Sequence, residues 1–146
     1  TISVRPGRPN QAASSFASGI VREPLNGEDA NCPVPRATRL WLLSPRRAID
    51  HLIALHDVPD ATLGSHRAVN LPGISVSAGE MVQALEDVAG SDVARRVSWR
   101  SDPTIERIVG SWPGRWDTSR AEALGLAGDA DFASIIRAYL ADEAGG

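Results

Sequence analysis

Apolar residues recur along this chain at two spacings, and each spacing predicts a kind of element. Short runs rich in branched or aromatic residues read as strands: Thr1–Val4, Thr38–Leu43 (TRLWLL), Arg67–Leu71 and Val97–Arg100. Apolar residues three and four apart read as helix faces. They predict a short helix with Phe16, Ile20 and Val21, halted near Arg22 because Pro24 does not suit a helix interior. A second helix runs to about His56 with Ala48, Ile49, Leu52, Ile53 and His56 at helical spacing. A third carries Met81, Val82, Leu85 and Val88 and stops at Gly90. Pro103–Val109, a short segment between Asp117 and Gly125, and about Asp131–Leu140 complete the helices. The terminal ADEAGG reads as a frayed end.

Local signals sharpen these boundaries. Ser44-Pro45 is an N-cap followed by proline at the first helical position. Ser77-Ala78-Gly79-Glu80 is a capping box. Ser14 or Ser15 is placed to cap the first helix, and Asn26-Gly27 to make a turn after it. Cys32–Ala37 is proline-rich and extended. Arg46-Arg47 opens a helix at its positive end, an arrangement that calls for a carboxylate or anion nearby.

Composition then removes whole classes of function. The 146 residues suit one core, with a formal net charge of −3, so the basic face that nucleic acid requires is not expected. No run approaches a membrane span and no cationic-then-apolar leader is present. Cys32 is alone and reads as a reduced, structural thiol, which suits the cytoplasm. All 15 basic residues other than histidine are arginine. A Schiff-base lysine, a phosphate-loop lysine and a tyrosine–lysine pair are therefore excluded within this chain. The single tyrosine, Tyr139, shares helical spacing with Phe132, Ile135, Ile136 and Leu140 and reads as core. His51, His56 and His66 lack a metal spacing, and no glycine-rich strand-to-helix turn is present.

The order of motifs carries a family likeness. VRPGRPN, ASSFASGIVREPLNGE, TRLWLLSPRRAID, AVNLPGISVSAGEMVQALEDVAG and the SWPGRWD segment follow one another along nearly the whole chain. In this order the chain resembles the C-terminal part of an extended short-chain dehydrogenase/reductase of the NAD-dependent epimerase/dehydratase family. The resemblance implies an α/β fold: the C-terminal substrate-binding part of an extended Rossmann-type dehydrogenase, with the dinucleotide-binding N-terminal portion absent. Residues 1–13 would be the last part of the cofactor-binding sheet and its loop. Residues 14–146 would be the substrate-binding domain with returning helices. The chain begins with Thr1 rather than Met, and on this likeness it is expected to be one part of a larger enzyme whose catalytic Tyr and Lys lie upstream. Alone it would be inactive and would need no cofactor.

The finer likeness implies hydride transfer from a small sugar acid, D-erythronate to 2-oxo-tetronate, with NAD or NADP as cofactor. A sugar acid needs an arginine fork for its carboxylate and short hydroxyl or amide groups for its polyol. Arg39 is the first candidate, because relatives carry a substrate-facing arginine at that strand position; Trp41 shares its face and would wall the pocket. Ser14, Ser15 and Phe16 match the segment that touches substrate in relatives, and Asn10 precedes them. Pro6, Gly7 and Arg8 match the turn that approaches the nicotinamide. Each has a plainer role open to it: surface arginine, core aromatic, helix cap or strand-ending turn. Arg22, Arg107 and Arg115 are weaker candidates. Two other functions stay open, a nucleotide-sugar epimerase or dehydratase fragment and a non-catalytic binding module. Loss of a covering domain would expose apolar surface and favour a homo-oligomer.

Overall fold

The structure is a computed structural model and describes residues 1–8 and 10–144. Its elements in chain order are α1 (Phe16–Leu25), β1 (Ala30–Cys32), β2 (Arg39–Leu42), α2 (Pro45–His56), α3 (Asp60–Leu63) and β3 (Ile74–Ser77). They continue with α4 (Ala78–Ala89), α5 (Ser91–Ala94), β4 (Val97–Trp99), α6 (Pro103–Gly110), α7 (Ser119–Ala123) and α8 (Phe132–Ala144). The terminal residues expected to fray are helical to Ala144, and Gly145 and Gly146 lie outside the described residues.

Strands are short and pair in twos. β1 and β4 run parallel with Asn31 opposite Ser98, and β2 and β3 run antiparallel with Trp41 opposite Ser75. The core gathers around α4, which sets Met81 and Leu85 against α1 and α8. Ile20, Leu40, Leu42, Ile135 and Ile136 complete its interior. Alternation in β2 decides its two sides: Leu40 and Leu42 enter the core, while Arg39 and Trp41 face outward. That is how the strand serves stability with one face and a site with the other.

Caps follow their local chemistry. Ser44 Oγ accepts the Arg47 N–H at 3.2 Å, with Pro45 at the first helical position. Ser77 Oγ accepts the Glu80 N–H at 3.2 Å, while Glu80 Oε2 accepts the Ser77 N–H at 2.7 Å. The two arginines at the start of α2 meet the carboxylates their position calls for. Arg46 pairs with Asp142, Arg47 lies 3.9 Å from Asp50, and Asp129 accepts both the N–H and the hydroxyl of Ser44.

The structure departs from these expectations at several places. Thr1–Val4 forms a single parallel bridge, Ile2 to Leu43, rather than a strand, because only the end of β2 lies beside it. Arg67–Leu71 has strand-like composition but no strand partner; the edge of β2 is taken by Ile74–Ser77. β1 was not foreseen, since three residues show no periodicity and their partner β4 lies far along the chain. Helix α1 continues through Pro24 to Leu25, because the chain end of the helix is closed by Asn26 and Gly27 N–H groups donating to Arg22, Glu23 and Pro24 carbonyls. Ser15 stands at its start without making a side-chain cap; its hydroxyl accepts the Asn10 N–H instead, at 3.2 Å.

Candidate functional site

A groove of about 1200 Å³ opens on the outer side of β2 and β3. Arg39 and Trp41 from β2, Ser75 from β3, Glu80 from α4, Arg115 and Trp116 from the SWPGRW loop, and Asp129 line it. Glycine permits this crowding. A side chain at Gly73 would strike the Leu42 carbonyl at 2.5 Å, and one at Gly128 would press on the Gly73 backbone at 3.2 Å. Close backbone approach at these two points lets the loops before β3 and before α8 share one wall.

Arg39 is held in place by its neighbours. Its Nε donates to Ser75 Oγ at 3.2 Å, its Nη2 to the Ser75 carbonyl at 3.4 Å, and its Nη1 meets Glu80 Oε2 at 3.4 Å. The same Glu80 oxygen caps α4, so one carboxylate serves helix and arginine together. Those hydrogen bonds from Ser77, helped by the Arg39 charge, hold the Glu80 carboxyl below its ordinary range. Ser75 Oγ in turn donates to the Gly114 carbonyl at 2.7 Å, which ties the SWPGRW loop to the sheet. Trp41 is half-buried and gives its Nε1–H to the Leu71 carbonyl at 3.3 Å, leaving its ring face for the groove. Arg115 is exposed on the same groove and has no carboxylate within ion-pair distance among the described residues. The groove therefore offers two guanidinium groups and several carboxylates, a lining suited to a ligand carrying one anionic end and several hydroxyls.

The remaining sequence candidates lie elsewhere. Ser15 and Phe16 line a smaller pocket of about 230 Å³ with Gly19, Glu23 and Asn31, and Phe16 packs into the core. Ser14 is half-buried at the start of α1, and Asn10 is exposed, its Oδ1 accepting the Ala12 N–H at 3.0 Å. Pro6, Gly7 and Arg8 form an exposed turn with Gly7 at φ +91°, where an added Cβ would meet nothing within 4 Å. An open turn of this kind leaves its backbone groups free for a ligand, whereas the described residues hold no glycine-rich strand-to-helix turn for a dinucleotide's phosphates. Arg107 is exposed on α6, outside the large groove. Arg22, a weaker candidate at the end of α1, is buried.

Two other groups have structural work. Burial pushes the Cys32 thiol up, against nucleophilic use. His51 is buried under α2 with Nε2 at 2.9 Å from the Ala127 carbonyl, so it packs one groove wall from behind. Asp129 and Gly128, which shape that wall, gave no sequence signal because their partners are brought to them only by tertiary folding.

No family model matches the chain. Fold and sequence nevertheless relate it to the extended short-chain dehydrogenases/reductases of the NAD-dependent epimerase/dehydratase type, as their C-terminal part. The particular likeness is to D-erythronate dehydrogenase. The enzyme of that name from Cupriavidus necator is 56% identical over 142 residues, and that from Haemophilus influenzae 44% identical over 140 residues. These alignments take in 97% and 96% of the chain but 44% of each relative, so the chain spans less than half the length of the curated relatives it matches. The crystal structure of a nucleoside-diphosphate-sugar epimerase from Agrobacterium tumefaciens superposes with a TM-score of 0.95 at 38% identity, over the whole chain and 43% of that protein. An L-threonine dehydrogenase from Cupriavidus necator shares the fold, with a TM-score of 0.81 at 22% identity over 97% of the chain and 45% of that protein. No helix among the described residues is long and apolar enough to cross a membrane.

Proposed function

We propose that this chain is the substrate-binding part of an NAD-dependent dehydrogenase that oxidises D-erythronate to 2-oxo-tetronate. The observation that carries the reading is the 56% identity to a D-erythronate dehydrogenase along 97% of the chain. In the groove, Arg39 is the group that receives the acid's carboxylate, exchanging its long contact with Glu80 for a paired one. Trp41 and Trp116 supply apolar walls, and Ser75 a hydroxyl. Ser14, Ser15, Asn10 and Phe16 stand outside this groove, so on this reading an acid held at Arg39 is bound without them. The Pro6–Arg8 turn faces the nicotinamide. NAD, when bound, supplies the hydride acceptor. The residues that move the hydroxyl proton belong to the longer polypeptide, so this chain by itself binds rather than reacts.

A second reading rests on the groove's size. At about 1200 Å³ it exceeds the roughly 300–1,000 Å³ of pockets that enclose a drug-sized ligand, and a four-carbon acid fills little of it. A nucleotide sugar would fill more, and the epimerase-like structure points the same way. One assay separates the two. The complete protein is offered NAD with D-erythronate, and NADH formation is followed; epimerisation of UDP-sugars is measured in parallel. NADH formation with the acid and none of the epimerised sugar is the expected result. The reverse pattern would transfer the groove to a nucleotide sugar. The 146-residue chain alone is expected to be silent in both.

A further inference from the structure

Helix α1 carries a buried ion pair that the groove does not use. Arg22 and Glu23 are consecutive, both buried, with Arg22 Nη2 2.5 Å from Glu23 Oε1. Arg22 Nη1 donates to the Arg5 carbonyl at 2.9 Å. One turn earlier on the helix, Ser18 Oγ accepts the Arg5 N–H at 3.1 Å, and the Ser3 hydroxyl donates to the Ala17 carbonyl at 2.7 Å. The segment entering the Pro6–Gly7 turn is thus gripped at both polar groups of Arg5 by side chains of one helix. Beyond that grip the character changes at once: Pro6, Gly7 and Arg8 are exposed. The turn is fastened from behind and open in front.

A buried ion pair contributes little net stability, because desolvating two charges offsets most of their attraction. This one is also incompletely satisfied: Glu23 Oε2 is buried with no hydrogen-bond partner among the described residues, as is Arg5 Nε. A buried pair with one carboxylate oxygen left over and a single backbone carbonyl at its end is suited to fixing where that carbonyl sits.

We infer that Arg22, neutralised by Glu23 and assisted by Ser18, is a positioning residue that sets the Arg5–Pro6–Gly7 turn for the nicotinamide end of the cofactor. The inference rests on the proposed reading that this turn faces the cofactor. Arg22 touches neither cofactor nor substrate; it acts through the Arg5 carbonyl. Losing it leaves the turn in place on average but spread over several positions, so part of the cofactor's binding energy goes into ordering it.

The test uses the complete protein and measures NAD and NADP dissociation constants by tryptophan fluorescence, with the melting temperature of every variant. Arg22→Met removes the donor at similar length, Arg22→Lys restores one donor, and Ser18→Ala removes the acceptor for the Arg5 N–H. Val109→Ala, a core truncation in α6 away from the turn, is the stability control. Arg22→Met is expected to weaken NAD binding about tenfold, about 1.4 kcal/mol, with Arg22→Lys recovering part of it. Ser18→Ala should weaken it about threefold, while Val109→Ala lowers the melting temperature and leaves NAD binding within about twofold. The KM for D-erythronate at saturating NAD should stay near the wild-type value in the Arg22 variants. A folded Arg22→Met protein that binds NAD like wild type overturns the inference. So does an unchanged dissociation constant in Ser18→Ala, which decides the matter if Arg22→Met does not fold. A wild-type protein that binds neither NAD nor NADP instead overturns the reading of the turn, a result visible before any variant is made.

Discussion

Helices α2 and α4 are both 12 residues long and both begin on a serine whose hydroxyl accepts a backbone N–H from the first turn. Both carry apolar residues at helical spacing. Their fates differ. In α4, Met81 and Leu85 are wholly enclosed and Val82 nearly so. In α2 only Ala48 and His51 are buried; Ile49, Leu52 and Ile53 remain 57%, 63% and 60% exposed. Periodicity therefore reports that a helix has an apolar side, and says nothing of whether this chain covers it. The enclosed helix is what the domain is built around. The open one is anchored mainly at its start, through Ser44 and Asp129, with His51 against the Ala127 carbonyl midway.

The contrast is most easily broken at Leu85. Leu85→Ala removes an enclosed side chain where α4 meets its neighbours and should destabilise the chain by about 2–5 kcal/mol in urea unfolding. A loss below 1 kcal/mol on the order of a surface change would mean that α4 is not the centre of the core. Next in size is Ser44→Ala, at about 0.5–2 kcal/mol, because the hydroxyl serves both the Arg47 N–H and Asp129. If α2 is indeed held at its N-terminus, amide exchange should accelerate along the whole of α2 in this variant and stay unchanged in α4.

The cap of α4 also predicts a response to acid. In α4 the capping carboxylate is Glu80, whose pKa lies below its unfolded value because the Ser77 backbone and hydroxyl hydrogen-bond to it. Its stabilising contribution is present above the unfolded carboxylate pKa and disappears as pH falls through the folded one. A slope of stability against pH across the acid side of the carboxylate range should shrink in Glu80→Gln. The effect is small, since Glu80 is exposed and its pairing with Arg39 is screened. An unchanged slope would place the acid response elsewhere.

Much of this was legible along the chain, and the exceptions share a cause. Ser44-Pro45 and the Ser77–Glu80 box announced both helix starts, because a cap is made by residues within one turn. Arg39 and Trp41 were placed on one strand face by alternation, and they do line one groove. The strand read at Arg67–Leu71 failed because composition marks a segment able to pair, whereas pairing depends on which edge is free; Ile74–Ser77 reached β2 first in space. Arg22 ranked only as a weaker candidate, since nothing nearby in sequence discloses that the Arg5 carbonyl folds back onto it. Asp129 was silent for the same reason. Contacts between distant residues, rather than local propensity, made each of these.

The smallest effect is the most informative about α2. Leu52 makes its side chain's contacts largely with water, so Leu52→Ser exchanges one exposed group for another. It should alter the stability of the chain by no more than about 0.5 kcal/mol, against several for Leu85→Ala. It should also reduce any concentration dependence of the melting temperature, because a contiguous apolar stripe of Ile49, Leu52 and Ile53 is the kind of surface that drives association. If Leu52→Ser instead costs more than about 1 kcal/mol at every protein concentration, the side chain must be covered within a single molecule. The comparison between an enclosed and an open helix would then fail, and α2 would have to be counted with the core it is distinguished from here.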